Sequence, residues 1–167
     1  MRVPHLIPIL PAALLLACAD QPAGPGHPAF GVSWGPETPH FNLEVILRGE
    51  NDGFGLVRFR QPNDADLIIY LDTWVRDLAP NSSYRLQRAV DLTVDGVCTS
   101  AGWLTLGRGL TPQAIVTDDR GTGRAELFRS VAAFPVGAQF DIHFRVIDDA
   151  TSAVVLESGC YQFTISL

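Results

Sequence analysis

From residue 41 onward the chain alternates apolar and polar residues in short runs, and the period is two. Phe41, Leu43, Val45 and Leu47 alternate with Asn42, Glu44, Ile46 and Arg48. That period puts the first set on one face of a strand. Glu50-Asn51-Asp52-Gly53 follows, and Asp-Gly suits the positive φ of a tight hairpin turn. A second strand, about Phe54–Arg60, buries Val57 and Phe59 and turns Arg58 and Arg60 outward. The stretch Asp66–Val94 then predicts a long antiparallel pair. Its first strand has Leu67, Ile69, Leu71 and Val75 on the inward face, and its second has Tyr84, Leu86, Val90, Leu92 and Val94. Between them lies Leu78-Ala79-Pro80-Asn81-Ser82-Ser83-Tyr84. Pro80 fixes its own φ, and Asn81 and the serines hydrogen-bond their own backbone, so the chain reverses there. Arg88 interrupts the second inward row, which predicts a bulge or an edge position.

The remainder continues the pattern with shorter runs, around Val97-Cys98, Trp103–Leu106 and Ala114–Thr117. Ala125, Leu127 and Val131 suggest a further strand. Phe140, Ile142, Phe144 and Val146, alternating with Asp141, His143 and Arg145, give the cleanest strand signal in the chain. Asp148-Asp149 turns into a last strand, Val154–Ile165, which contains Cys160. About eight or nine strands and no convincing helix predict an all-β chain folded as an antiparallel β-sandwich. The motif Leu78-x-Pro80-x-x-x-Tyr84 resembles the tyrosine corner of immunoglobulin-like and fibronectin type III domains. The resemblance implies an immunoglobulin-like sandwich in which the tyrosine hydroxyl ties the strand start back to the preceding loop. Together with the turn Thr117-Asp118-Asp119-Arg120-Gly121-Thr122-Gly123, the region also looks like small bacterial sandwiches related to the chordin-type repeat. Both likenesses cover only the middle of the chain, and the core Trp and cysteine spacing of antibody domains is absent.

Ahead of the strands, Met1–Ala17 carries one Arg and an apolar run from Leu6 to Ala17. The run is too short to span a bilayer and reads as a secretory signal, although Pro4, Pro8 and Pro11 are unusual inside one. Its end, Leu15-Leu16-Ala17-Cys18, resembles the lipobox of bacterial lipoproteins. The resemblance implies that Cys18 is lipid-modified and becomes the first mature residue. The alternative is an ordinary secretory signal with an incidental cysteine. Ala19 rather than Asp follows, which in Gram-negative lipoproteins implies the outer membrane, with Asp20 one place later. Residues 19–40 are rich in Pro and Gly without periodicity and read as an extended tether. Phe30, Val32 and Trp34 are out of character for a spacer and suggest an arm docked on the domain. The expected division is therefore a signal peptide at 1–17, a lipidated cysteine and linker at 18–40, and a β-sandwich domain at 41–167.

Composition narrows the chemistry. With 167 residues and 47% hydrophobic content the chain can bury the core of one domain. A net charge of -6 and a pI near 5.0 argue against nucleic acid, which calls for a basic patch. With Cys18 given to lipid, Cys98 and Cys160 remain as a pair, and export makes a disulfide between them plausible; two separate buried thiols are the alternative. His27, His40 and His143 are too scattered for a copper–zinc dismutase site, and His143 reads as a solvated cross-strand partner. Asp118-Asp119, Asn63-Asp64-x-Asp66 and Asp148-Asp149 could offer oxygens to calcium, but none has the spacing of a calcium loop, and turns collect such residues for backbone reasons. There is no G-x-S-x-G elbow. The outward arginines Arg58, Arg60, Arg85 and Arg145 suit either an anionic glycan or neighbouring carboxylates. The expectation is a lipid-anchored envelope protein, a non-catalytic binding or structural module without cofactor, its partner a protein or glycan and its oligomeric state open. The rival is an envelope hydrolase working through distant carboxylates. The face opposite the core row of the first long strand carries Ile68, Tyr70 and Trp74, and that row marks either a partner surface or a site covered by the arm.

Overall fold

A computed structural model describes residues 41–166 apart from 51, 63 and 64. The signal, Cys18, the linker and the arm Phe30–Trp34 lie outside the described residues. Within them the chain is all-β with no helix. The strands are β1 (Phe41–Arg48), β2 (Phe54–Gln61), β3 (Ile68–Arg76), β4 (Ser83–Asp91), β5 (Leu104–Thr105), β6 (Gly107–Arg108), β7 (Thr111–Pro112), β8 (Ile115–Val116), β9 (Gly123–Ser130), β10 (Gln139–Asp148), β11 (Val154–Ser158) and β12 (Tyr161–Thr164).

β1, β2 and β3 form a meander. The β1–β2 hairpin turns at Asp52, whose φ of 69° is the positive φ expected of this turn, although it falls on the Asp and not on Gly53. On its far side β3 pairs with β9. β4 lies in the opposite half of the molecule against β10. β10 in turn pairs with β12 along its first residues and β11 along its last, and the end of β11 meets the end of β1. Residues 104–117 fill the remaining gap: β5 runs along β4, β6 along β9, β8 pairs with the start of β4, and Thr117 bridges to Gly123. The result is one mixed sheet of twelve strands curled nearly into a barrel, mixed because β6 and β9 run parallel.

Several sequence expectations change here. The long pair Asp66–Val94 is not a pair, because β3 and β4 share no ladder. Alternation fixes which face of a strand is buried but not which strand lies beside it, and residues 77–82 carry the chain across from one half to the other. β4 stops at Asp91, so Leu92, at 79% exposure, is not an inward residue. Arg88 sits in an unbroken ladder between Phe144 and Leu104, at neither a bulge nor an edge. The register shift falls instead at Val146 and Ile147 of β10. The last expected strand is two, broken between Ser158 and Tyr161.

The core lies between the halves. Val45, Leu47, Val57, Leu71 and Val75 meet Leu86, Phe144, Val146, Leu156 and Phe163, all essentially inaccessible. Each such side chain contributes roughly 1.5–3 kcal/mol of transfer free energy. Phe59 packs edge-on against Phe163, with ring centroids 4.7 Å apart. Cys98 and Cys160 are joined, with Cα atoms 5.4 Å apart, and tie the loop after β4 to the β11–β12 junction.

The crossing between the halves is held by side-chain to backbone bonds. The Tyr84 hydroxyl accepts from the Ala79 N–H at 3.1 Å, and Thr117 Oγ1 donates to the Ala79 carbonyl at 2.7 Å and accepts from Ser82 N–H at 3.0 Å. Gly121 is required beside it. Its φ is +74°, and a Cβ there would lie 2.1 Å from the Leu78 carbonyl oxygen. Asp118 Oδ1 accepts from the Arg120 and Thr122 amides at 2.9 Å, so this acidic turn spends its carboxylate on its own backbone.

Candidate functional site

Three surface features can receive something. The first is the outer face of β1, β2, β3 and β9. Their register aligns Ile46, Leu56, Trp74 and Arg124 in one cross-strand row, and Asn42, Arg60, Tyr70 and Phe128 in another. Between them runs a charged row of Glu44, Arg58, Asp72 and Glu126. Trp74 is 51% exposed and Tyr70 38%, while Ile68 is half-buried at the start of β3. The three sequence-chosen residues thus share a face, and its exposed aromatic centre is Trp74. The Arg124 guanidinium lies 5.9 Å from the Trp74 ring, a cation–π contact at the edge of the row.

The charges on this face are matched. Arg60 donates to Asp72 at 3.0 Å, Arg58 lies 3.7 Å from Glu44, and Arg124 lies 3.2 Å from Glu126. In the other half Arg85 makes a bidentate contact with Asp149, whose second oxygen also accepts from the Ser83 hydroxyl. That contact holds the Asp149 carboxyl below the usual carboxylate range and raises the Arg85 guanidinium. Of the outward arginines, Arg58, Arg60 and Arg85 therefore meet carboxylates. Arg145 instead lies over the Trp103 ring at 4.0 Å and donates to the Gln87 side-chain oxygen. His143 is not a freely solvated residue. Its ring packs 4.5 Å from Trp103, and its Nε2 lies 3.1 Å from the Ser100 carbonyl oxygen.

The second feature is a broad hollow of about 700 Å³ at the crossing end, lined by Glu50, Asp77, Asp148 and Glu157 together with Arg48. Asp148 accepts from the Ala150 and Thr151 amides and from the Thr151 hydroxyl, and these bonds lower its pKa. Such a carboxylate is a fixed anion and a poor proton donor. Among the described residues no group of three or more His, Cys, Asp or Glu side chains could hold a metal ion.

The third is a cavity of about 230 Å³ at the opposite end, between the halves. Its walls are Phe59, Ile69, Leu71, Leu106, Phe140, Ile142 and Phe144, and its rim includes the exposed Leu92 and Phe134. Two cations enter this apolar lining. Arg88 continues the inward row of β4 from Tyr84 and Leu86, and Arg129 continues that of β9 from Ala125 and Leu127, opposite Ile69. Arg129 donates to the Gly109 carbonyl at 3.1 Å. Arg88 makes no hydrogen bond or ion pair within the described residues. Burial, and then the charge of Arg129, push its pKa down. Beside the rim, the buried Asp141 accepts from the Asp95 and Gly96 amides at 3.0 and 2.7 Å and fixes the loop that follows β4.

The sequence pattern alone does not reveal this cavity, although it carries a signal for half of it. In the sequence Arg88 stands in the inward phase of its strand, where it predicts a bulge or an edge position rather than a lining residue. Arg129 stands in the same phase of its own strand, and only the topology brings the two together. No protein-family model and no curated protein matches the sequence.

Proposed function

We propose that the chain is a lipid-anchored protein of the bacterial cell envelope, held through Cys18 in the outer membrane, and that its β domain is a non-catalytic binding module. The observation that carries the binding reading is the half-exposed Trp74, aligned with Leu56 and Ile46 on a face whose neighbouring charges are already paired among themselves. Matched charges leave the aromatic row as the distinctive feature of the face, and Trp and Tyr are the residues most enriched at binding hot spots. The occupant is a protein or a glycan, either of which stacks on a flat indole. We read the curled sheet as an immunoglobulin-like sandwich. The hydrogen bond from Ala79 to the Tyr84 hydroxyl, placed where the chain crosses between halves, supports that reading. The rival hydrolase finds its best location in the acidic hollow, but Asp148, its pKa lowered by bonds from Ala150 and Thr151, suits it poorly as a proton donor.

A photo-crosslinking residue at position 74, carried by the full chain in intact envelopes, tests the binding role. One discrete crosslinked species, lost when the same residue replaces Arg120 in the β8–β9 turn, is the expected result. Identical crosslinking from both positions would remove the case for this face.

A further inference from the structure

We propose that the cavity between the two halves is a binding site for a small amphipathic monoanion, a carboxylate with one short alkyl chain or aryl group. Its head would meet Arg88 and Arg129, and its tail would lie against Phe59, Leu71 and Phe140. The inference goes beyond the surface reading and depends on neither the lipid anchor nor Trp74.

Three observations converge on it. The first is charge without compensation. Arginine does not lose its proton in proteins, so a half-buried guanidinium beside an apolar wall keeps its charge and favours an anion. Among the described residues no carboxylate lines this cavity, and the charge that shifts the titration of Arg88 is that of a second arginine, Arg129. A carboxylate seated between the two would relieve both the burial cost and the repulsion, and arginine's planar fork matches its two oxygens.

The second is shape and lining. Pockets for small molecules are concave and mostly apolar, with a few converging polar groups that fix orientation, and this is that arrangement. A dry apolar cavity of roughly 150 Å³ accepts benzene, so about 230 Å³ takes one substituted ring or a chain of roughly eight carbons. A two-chain lipid does not fit. A phosphate dianion would leave its second charge facing apolar walls, which disfavours it against a monoanion.

The third is access. Leu92 and Phe134 at the rim are 79% and 42% exposed, an apolar lip that an amphiphile's tail would cross to enter.

Calorimetric titration of the full chain with octanoate, with 1-octanol as the uncharged control, tests the proposal. Octanoate should bind with a dissociation constant of about 1 mM or tighter, and Arg88→Leu should weaken it about tenfold or more while leaving 1-octanol unchanged. Because Arg88→Leu replaces a half-buried charge with an apolar side chain facing apolar walls, it should fold at least as well as the parent. A second variant, Ala133→Trp, changes an exposed residue at the rim and should block both probes. Octanoate bound equally by the parent and by Arg88→Leu would overturn the proposal, as would no heat from the parent at concentrations up to roughly 10 mM.

Discussion

The hydroxyl of Tyr84 and the amide of Ala79 face each other at 3.1 Å across the segment that carries the chain from one half of the sheet to the other. The bond closes a loop of six residues and fixes where β4 begins. Tyr84→Phe keeps the buried ring and deletes only the acceptor, leaving a half-buried amide without a partner. Stability should fall by about 1–3 kcal/mol, read as a lower denaturant midpoint at unchanged slope.

Three aspartates should make the fold sensitive to acid. Asp118 and Asp148 are held below their usual pKa by backbone amides, and Asp149 by Arg85. A carboxyl whose folded pKa is depressed contributes stability that is complete above the unfolded value, near 3.9, and is lost as pH falls through the folded value. The urea midpoint should therefore be flat above about pH 5 and decline below about pH 4. Asp149→Asn should make that decline shallower, and an unchanged acid profile would argue against the pair.

The Cys98–Cys160 bridge closes a loop spanning a sequence separation of 62. On the chain-entropy model its removal by Cys98→Ala with Cys160→Ala should cost roughly 4 kcal/mol. If Cys18 is acylated, the unfolded and unreduced protein should show no reactive thiol, and labelling of one or two equivalents would contradict this.

Cys18→Ser should release the protein from the membrane fraction if the lipobox is used. A fatty-acid analogue that fails to label the wild type in metabolic labelling would rule the anchor out.

Trp74→Ala should move the unfolding midpoint by less than about 1 kcal/mol, because the side chain is half-exposed among the described residues, and should abolish association. A loss of about 3 kcal/mol or more would show instead that the arm covers the ring.

The strands that could be read from sequence are those whose alternation runs for eight residues or more. β1, β2 and β10 alternate so regularly that their buried faces follow directly, and Val57, Phe59, Phe144 and Val146 are buried as expected. β5, β6, β7 and β8 are two residues each, too short for any period to register. Strand neighbours were legible only where a tight turn joins them, as Asp52-Gly53 joins β1 to β2; β3 and β4 have the same inward pattern whether they pair or cross. The Trp74 row needed only alternation within one strand and so was visible. The cavity needed Arg88 of β4 and Arg129 of β9 to be brought together, and no local pattern encodes that.

Curling the sheet almost closed also governs how copies of the protein behave when crowded. Every strand of eight residues or more has a neighbour on both sides for at least part of its length. The outermost strands of the ladder, β5 and β7, are two residues long each, and β7 ends in Pro112, which has no N–H to offer. If such domains are tethered densely on one surface, they offer little template for strand addition between molecules and can stand side by side without growing into one another's sheets.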